Sequence, residues 1–182
     1  GGLPRRATFL DDLRGTSDVV LVEVGGAAAG QSVYDQLKLA AILRGESLMG
    51  IDAHNLGATE AALGAQTIRR LAKETGVPFI SANVRDADGR QIGEPYRIVT
   101  AGGRRIALVG VMSPRFRRVG LQVAAPREAV LEVLHEIVGK YDSLVVLAYV
   151  PEDELQKLAE QLPEADIVLG GPTGQPIAPR KI

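Results

Sequence analysis

The chain has no cysteine and no tryptophan, and only three Phe and four Tyr among its 182 residues. Without thiols it can form no disulfide, hold no thiolate-bound metal and attach no c-type haem within these residues. That absence suits an exported protein and a cytosolic one alike. With so few rings, Leu, Val, Ile and Ala must fill the core, and an apolar share of 46% suffices for that. An excess of one charge is missing too: 21 Lys and Arg stand against 22 Asp and Glu, a formal net charge of −1. Such a balance exerts no long-range pull on nucleic acid or an anionic membrane surface. Apolar runs are short as well. Stretches such as Leu144–Val150 fall far below the ~20 residues a membrane helix needs, so no membrane insertion is expected.

What the chain does contain is regular alternation of strand-like and helix-like segments. Val19–Val24 is a continuous apolar run with one acid, read as a buried strand. Val33–Met49 carries Val33, Leu37, Ala40, Ala41 and Met49 as a helical stripe ending at Gly50, with Gly45 as a point where the helix could break. Ala65–Thr75 reads as a second helix stopped by Gly76-Val-Pro78, and Phe79–Val84 as a strand. An antiparallel block follows: a turn at Asp86-Ala-Asp-Gly89, a strand Tyr96–Thr100, a tight turn Ala101-Gly-Gly103 and a strand Arg105–Val111. Pro126 opens a helix with Val130, Leu131, Leu134, Ile137 and Val138 on one face, closed by Gly139. Leu144–Val150 is read as strand, Glu152–Gln161 as helix and Asp166–Leu169 as strand, with no element in the tail Pro172–Ile182. No repeat or low-complexity linker interrupts this order, so residues 1–182 read as a single α/β domain with one hairpin block.

Four loops at expected strand ends hold the places where an α/β protein puts its chemistry. They are Glu23-Val-Gly-Gly26, Gly57-Ala-Thr-Glu60, Ala148-Tyr-Val-Pro151 and Gly170-Gly-Pro-Thr-Gly174. None carries a useful set of Asp, His or Asn. The loop Gly25-Gly26-Ala-Ala-Ala-Gly30 has neither G-x-x-x-x-G-K-(S/T) nor G-x-G-x-x-G, which excludes a P-loop or a Rossmann site.

The order of fragments resembles the 5′-nucleotidase branch of the calcineurin-like metallophosphatases over nearly the whole chain. Gly1–Arg6 is similar to the segment after that family's first metal motif, and Val19–Gly26 to its strand ending in Asp-Ala-Gly-Asp. Gly50–Glu60 resembles the stretch that ends in Gly-Asn-His-Glu, and Ile80–Asn83 its Ser-Ala-Asn strand. Gly103–Pro114 is similar to its G-x-x-I-A run, and Leu147–Leu155 and Leu169–Gly174 to its strands ending in Ser-His and Gly-Gly-His-Ser-His. The resemblance implies a four-layer α/β/β/α sandwich with mixed sheets, incomplete at its N-terminus if the first metal motif precedes Gly1. It also implies two divalent metals that polarise a phosphoester and activate water. At the matching positions, however, this sequence has Gly26 for the bridging Asp, Ala58 for the Asn ligand and Thr59 for the catalytic His. Tyr149, Pro172 and Gly174 stand where three further histidines are expected. These six replacements imply no metal, no cofactor and no catalytic residue, and a non-catalytic module bound to other domains or to a protein partner. The alternative is a metal-dependent phosphoester hydrolase whose ligands lie outside this chain or are relocated. The family resemblance also implies an extracytoplasmic location.

Some side chains carry two readings. His54 and Glu60, with Asp52, Glu23 and Tyr149, could form a relocated site; alternatively His54 is hydrogen-bonded in a strand and Glu60 caps a helix. Arg115, Arg117 and Arg118 could clamp an anion or line a solvated loop. His135 is expected on a helix surface.

Overall fold

The computed structural model describes residues 2–27, 30–173 and 178–181. In chain order its elements are α1 (Leu3–Arg14), β1 (Val22–Glu23), α2 (Val33–Leu48), β2 (Ala53–Asn55), α3 (Ala58–Ala62), α4 (Ala65–Thr75) and β3 (Phe79–Ile80). Then come β4 (Val84–Asp86), β5 (Tyr96–Ala101), β6 (Arg104–Met112), a 3₁₀ turn at Pro114–Phe116 and β7 (Leu121–Val123). The chain continues through α5 (Pro126–Glu136), β8 (Ser143–Tyr149), α6 (Glu152–Glu160) and β9 (Ile167–Gly171).

Two sheets result. One is parallel, in the order β1-β2-β3; the other is mixed, in the order β5-β6-β8-β9, with β5 antiparallel to β6 and the rest parallel. A short antiparallel ribbon, β4 with β7, stands beside them. Three apolar clusters define the layering. Leu39, Leu43, Ile68, Leu71 and Phe79 pack α1, α2 and α4 onto the parallel sheet. Ala53, Ile80, Leu108 and Leu147 fill the space between the two sheets. Val109, Val130, Val133, Ile137, Val146 and Leu158 seat α5 and α6 on the far side of the mixed sheet. Three interfaces make four layers, helices outside and sheets within, as the α/β/β/α expectation requires.

Several local expectations are corrected. The apolar run Val19–Val24 yields a strand of two residues, Val22–Glu23. Phe79–Val84 is not one strand. After Ile80 the chain leaves the parallel sheet, and the Ala82 N–H donates to Gly110 O of the mixed sheet at 2.7 Å. On α2 the buried residues are Leu39, Ala40, Leu43 and Glu46, whereas Val33, Leu37 and Ala41 are exposed. Gly45 does not break that helix. It is the point where α1 crosses α2: a Cβ there would stand 2.7 Å from Leu3 Cδ1. On α5 the buried set is Ala129, Val130, Val133 and Leu134, with Ile137 just beyond its end; Val138 is exposed. α1 was not anticipated at all. Pro4 in its first turn is a start signal, but Leu10 is the one buried residue that a periodicity could use.

Candidate functional site

The parallel strands of both sheets deliver their C-terminal ends to one place. β1 runs into Gly25-Gly26, both with positive φ (107° and 91°), which favours glycine there. β2 runs into Gly57 and the short helix α3. β8 ends at Tyr149, paired in register with Met112 on one side and Gly171 on the other.

Tyr149 sits between these loops, almost fully buried. A Cβ on Gly26 would stand 3.1 Å from its ring carbon Cε2, and a Cβ on Gly57 would stand 2.8 Å from Cδ2 and Cε2. The ring therefore lies flush on two glycines, and neither position has room for a larger residue without movement. Phe116 packs edge-on against it at a centroid distance of 5.1 Å. The phenol is pushed above its ordinary pKa by burial and by the Glu60 charge, opposed by a hydrogen bond from the Ala58 backbone and by Arg118.

Beneath the ring lies a buried row of charge. His54, on β2, is enclosed, with Nδ1 2.8 Å from Glu46 Oε2 and Nε2 3.9 Å from Glu60 Oε1. Burial works hardest against its charged form. Even so, the hydrogen bond to Glu46 and the nearby charges of Glu46 and Glu60 raise its pKa from 6.5 to about 9, which favours the imidazolium at neutral pH. Burial likewise opposes ionisation of Glu60, but His54 and backbone N–H donors lower its pKa from 4.5 to about 2. Glu60 Oε2 accepts from Gly26 N (2.9 Å), Gly57 N (3.0 Å) and Thr59 Oγ1 (3.2 Å). One carboxylate thus ties the β1 loop to the β2 loop and sits at the start of α3, where a negative charge suits the helix dipole. Phe79 closes the row, its ring centroid 4.7 Å from that of His54.

Two asparagines knit the strand ends. Asn55 Nδ2 lies 3.0 Å from each of Val24 O, Val111 O and Leu147 O. Asn83 donates to Met112 O and Ala124 O and accepts from Met112 N, at 2.7, 2.8 and 2.9 Å.

The structure brings together part of the residue set expected from sequence. His54 and Glu60 are neighbours. Asp52 is turned away, accepting from Leu21 N at 2.8 Å, and Glu23 pairs with Arg6 at 3.3 Å. Arg115 is held by Asp153 and Glu154 at 3.0 and 2.6 Å. Arg117 and Arg118 are exposed, with no ion pair among the described residues. Pro172 is exposed, after a cis peptide bond from Gly171; Gly174 lies outside the described residues. His135 is exposed, as expected for a helix surface. Glu46 was missed. Its spacing from Leu39 and Leu43 puts it on the buried face of α2, and an acid in that series is the signal that could have found it.

No family model matches the chain. It is 25% identical to the 5′-nucleotidase of Vibrio cholerae over 203 aligned residues, covering 97% of this chain and 37% of that protein. It is 29% identical over 126 residues to the metallophosphoesterase YunD of Bacillus subtilis, covering 65% of this chain and 27% of that one. Among solved structures, the 5′-nucleotidase precursor of Thermus thermophilus superposes with a TM-score of 0.84 at 23% identity, over 94% of this chain and 36% of that one. In sequence and in fold the chain is similar to the calcineurin-like metallophosphatases of the 5′-nucleotidase type. The superfamily fold also extends to the sulfate thiohydrolase SoxB of the same organism, with a TM-score of 0.77 at 21% identity, over 93% of this chain and 34% of that one. The chain spans about a third of the length of these relatives. Among the described residues, no group of three or more His, Cys, Asp or Glu is placed to hold a metal ion. No helix among them is long and apolar enough to cross a membrane.

Proposed function

We propose that this chain is a non-catalytic metallophosphatase-like domain, retained as a binding or assembly module of a larger protein. The observation that carries the reading is the Tyr149 ring on Gly26 and Gly57, between the loops where the superfamily fold implies divalent metals. A two-metal centre needs carboxylate, imidazole and amide donors converging from several loops. The residues present do not fit one. Gly26 and Ala58 offer no donor atom, and the Tyr149 oxygen is approached by the Ala58 N–H. Glu60 Oε2 is engaged by two backbone N–H groups and a hydroxyl. Losing the ligands together with the metal is also what physical chemistry favours, because buried carboxylates left without a cation are costly. No catalytic step is therefore assigned to these side chains. An extracytoplasmic location is part of the same proposal, carried over from the resemblance.

The competing reading is a metal-dependent phosphoester hydrolase completed by ligands from outside the chain or relocated within it. It is favoured by the names of the relatives and by the third of their length that the chain spans. Elemental analysis of the purified protein, then assay against a nucleotide and an aryl phosphate with added manganese, separates the two. The expected result is far less than one metal ion per chain and no turnover above buffer. Near-stoichiometric metal with turnover that a chelator abolishes overturns the proposal.

A further inference from the structure

The outward face of α2 is apolar where a solvent-facing helix is normally polar. Val33, Tyr34, Leu37 and Leu48 are 75%, 73%, 66% and 90% exposed. Ala41 is exposed between them. Their spacing places all five on one side of the helix. The flanks of α2 are already taken, by Leu3 of α1 against Gly45 and by Arg70 of α4, which reaches Gln36. The stripe therefore points away from the domain. Isolated exposed apolar residues are ordinary, but five on one side of a helix, with Arg44 among them, mark an interaction surface.

The charges within and beside the stripe select what covers it. Lys38 and Arg44 are exposed on α2 and have no ion pair among the described residues. Neither acid of the helix is available to them. Asp35 is held by Ser32 in a capping box, and Glu46 is buried on His54. Beside α2, a groove of about 610 Å³ between it and α1 is lined by Leu3, Arg5, Phe9 and Ile42, among others. The acids lining the groove, Glu23 and Glu46, are bonded to Arg6 and His54. A second copy of this chain fits poorly. Antiparallel pairing of α2 about Ala41 gathers Lys38 and Arg44 of both copies at one contact, four cations with no free acid on either helix. Like charges facing each other across a desolvated contact are destabilising.

We propose that the outer face of α2 is a docking surface for an acidic amphipathic helix of a protein partner. Its apolar side lies along Val33–Leu48, and its Asp or Glu residues answer Lys38 and Arg44. The surface is separate from the strand-end loops, so it stands whether or not those loops are inert.

The test uses two fluorescent helical peptides of about 18 residues, each with Leu on one face, one with Glu and the other with Lys elsewhere. Anisotropy titration should show the Glu peptide binding at least about tenfold more tightly than the Lys peptide. Leu37→Ser with Leu48→Ser should abolish binding while circular dichroism stays unchanged, since both positions are on the surface. Lys38→Glu with Arg44→Glu should invert the preference. Equal binding of the two peptides, binding of neither, or dimerisation in sedimentation that Leu37→Ser removes would each overturn the proposal.

Discussion

A single ring joins the loops of both sheets. Tyr149 touches the β1 loop at Gly26 and the β2 loop at Gly57, and it comes from the strand end of the opposite sheet. Removing an aromatic side chain from such a site leaves a cavity that the surrounding backbone can only partly close. Tyr149→Ala should therefore lower stability by about 3–5 kcal/mol, read as a lower urea midpoint with an unchanged slope. An unaltered midpoint would show that the ring rests on the loops without holding them. Sequence made the replaced positions visible, because glycine, alanine and tyrosine are conspicuous where ligands are expected. It could not show that the tyrosine fills the space the glycines open, because that depends on three loops meeting. Glu46 was hidden for a related reason: its partner His54 is close only after α2 folds onto the parallel sheet.

At the level of elements, close approach explains both what was legible and what was not. Alternation of strand and helix signals read out the α/β class, because each element has to bury one face. The stripe expected on α2 mixes exposed Val33, Leu37 and Ala41 with buried Ala40 and Met49. Apolar residues recur on two sides of this helix, and periodicity cannot say which side meets the sheet. The break after Ile80 escaped as well, since a run of strand-forming residues does not reveal that the Ala82 N–H will bond to the other sheet. Gly45 looked like a weakness and is a contact. Gly45→Val should force Leu3 away and separate α1 from α2, costing about 1–3 kcal/mol as an overpacked site. Limited proteolysis should then cut within α1 faster than in the parent protein. Equal cleavage rates would mean that α1 is not seated through this crossing.

For the molecule as a whole, the buried Glu46–His54–Glu60 row predicts how stability depends on pH. His54 has a raised folded pKa, so its contribution is complete below 6.5 and fades as pH climbs through about 9. Glu60 has a lowered one, so its contribution is complete above 4.5 and fades as pH falls toward about 2. From this pair, stability is greatest between pH 4.5 and 6.5 and declines on either side. Urea midpoints measured from about pH 2 to about pH 9 should follow this shape, and His54→Gln should flatten the alkaline limb. Parallel decline of variant and parent between pH 6.5 and about 9 would remove His54 as the cause.

Asn55 carries a consequence for how the layers can move. Its amide nitrogen reaches carbonyls from the end of β1 and from within β6 and β8. One side chain is thus a member of both sheets. Sliding one sheet over the other by a single residue would sever the two links that cross between them, to Val111 O and Leu147 O, and leave buried oxygens without donors. The two sheets are latched, and the sandwich has no shear motion available to it short of coming apart.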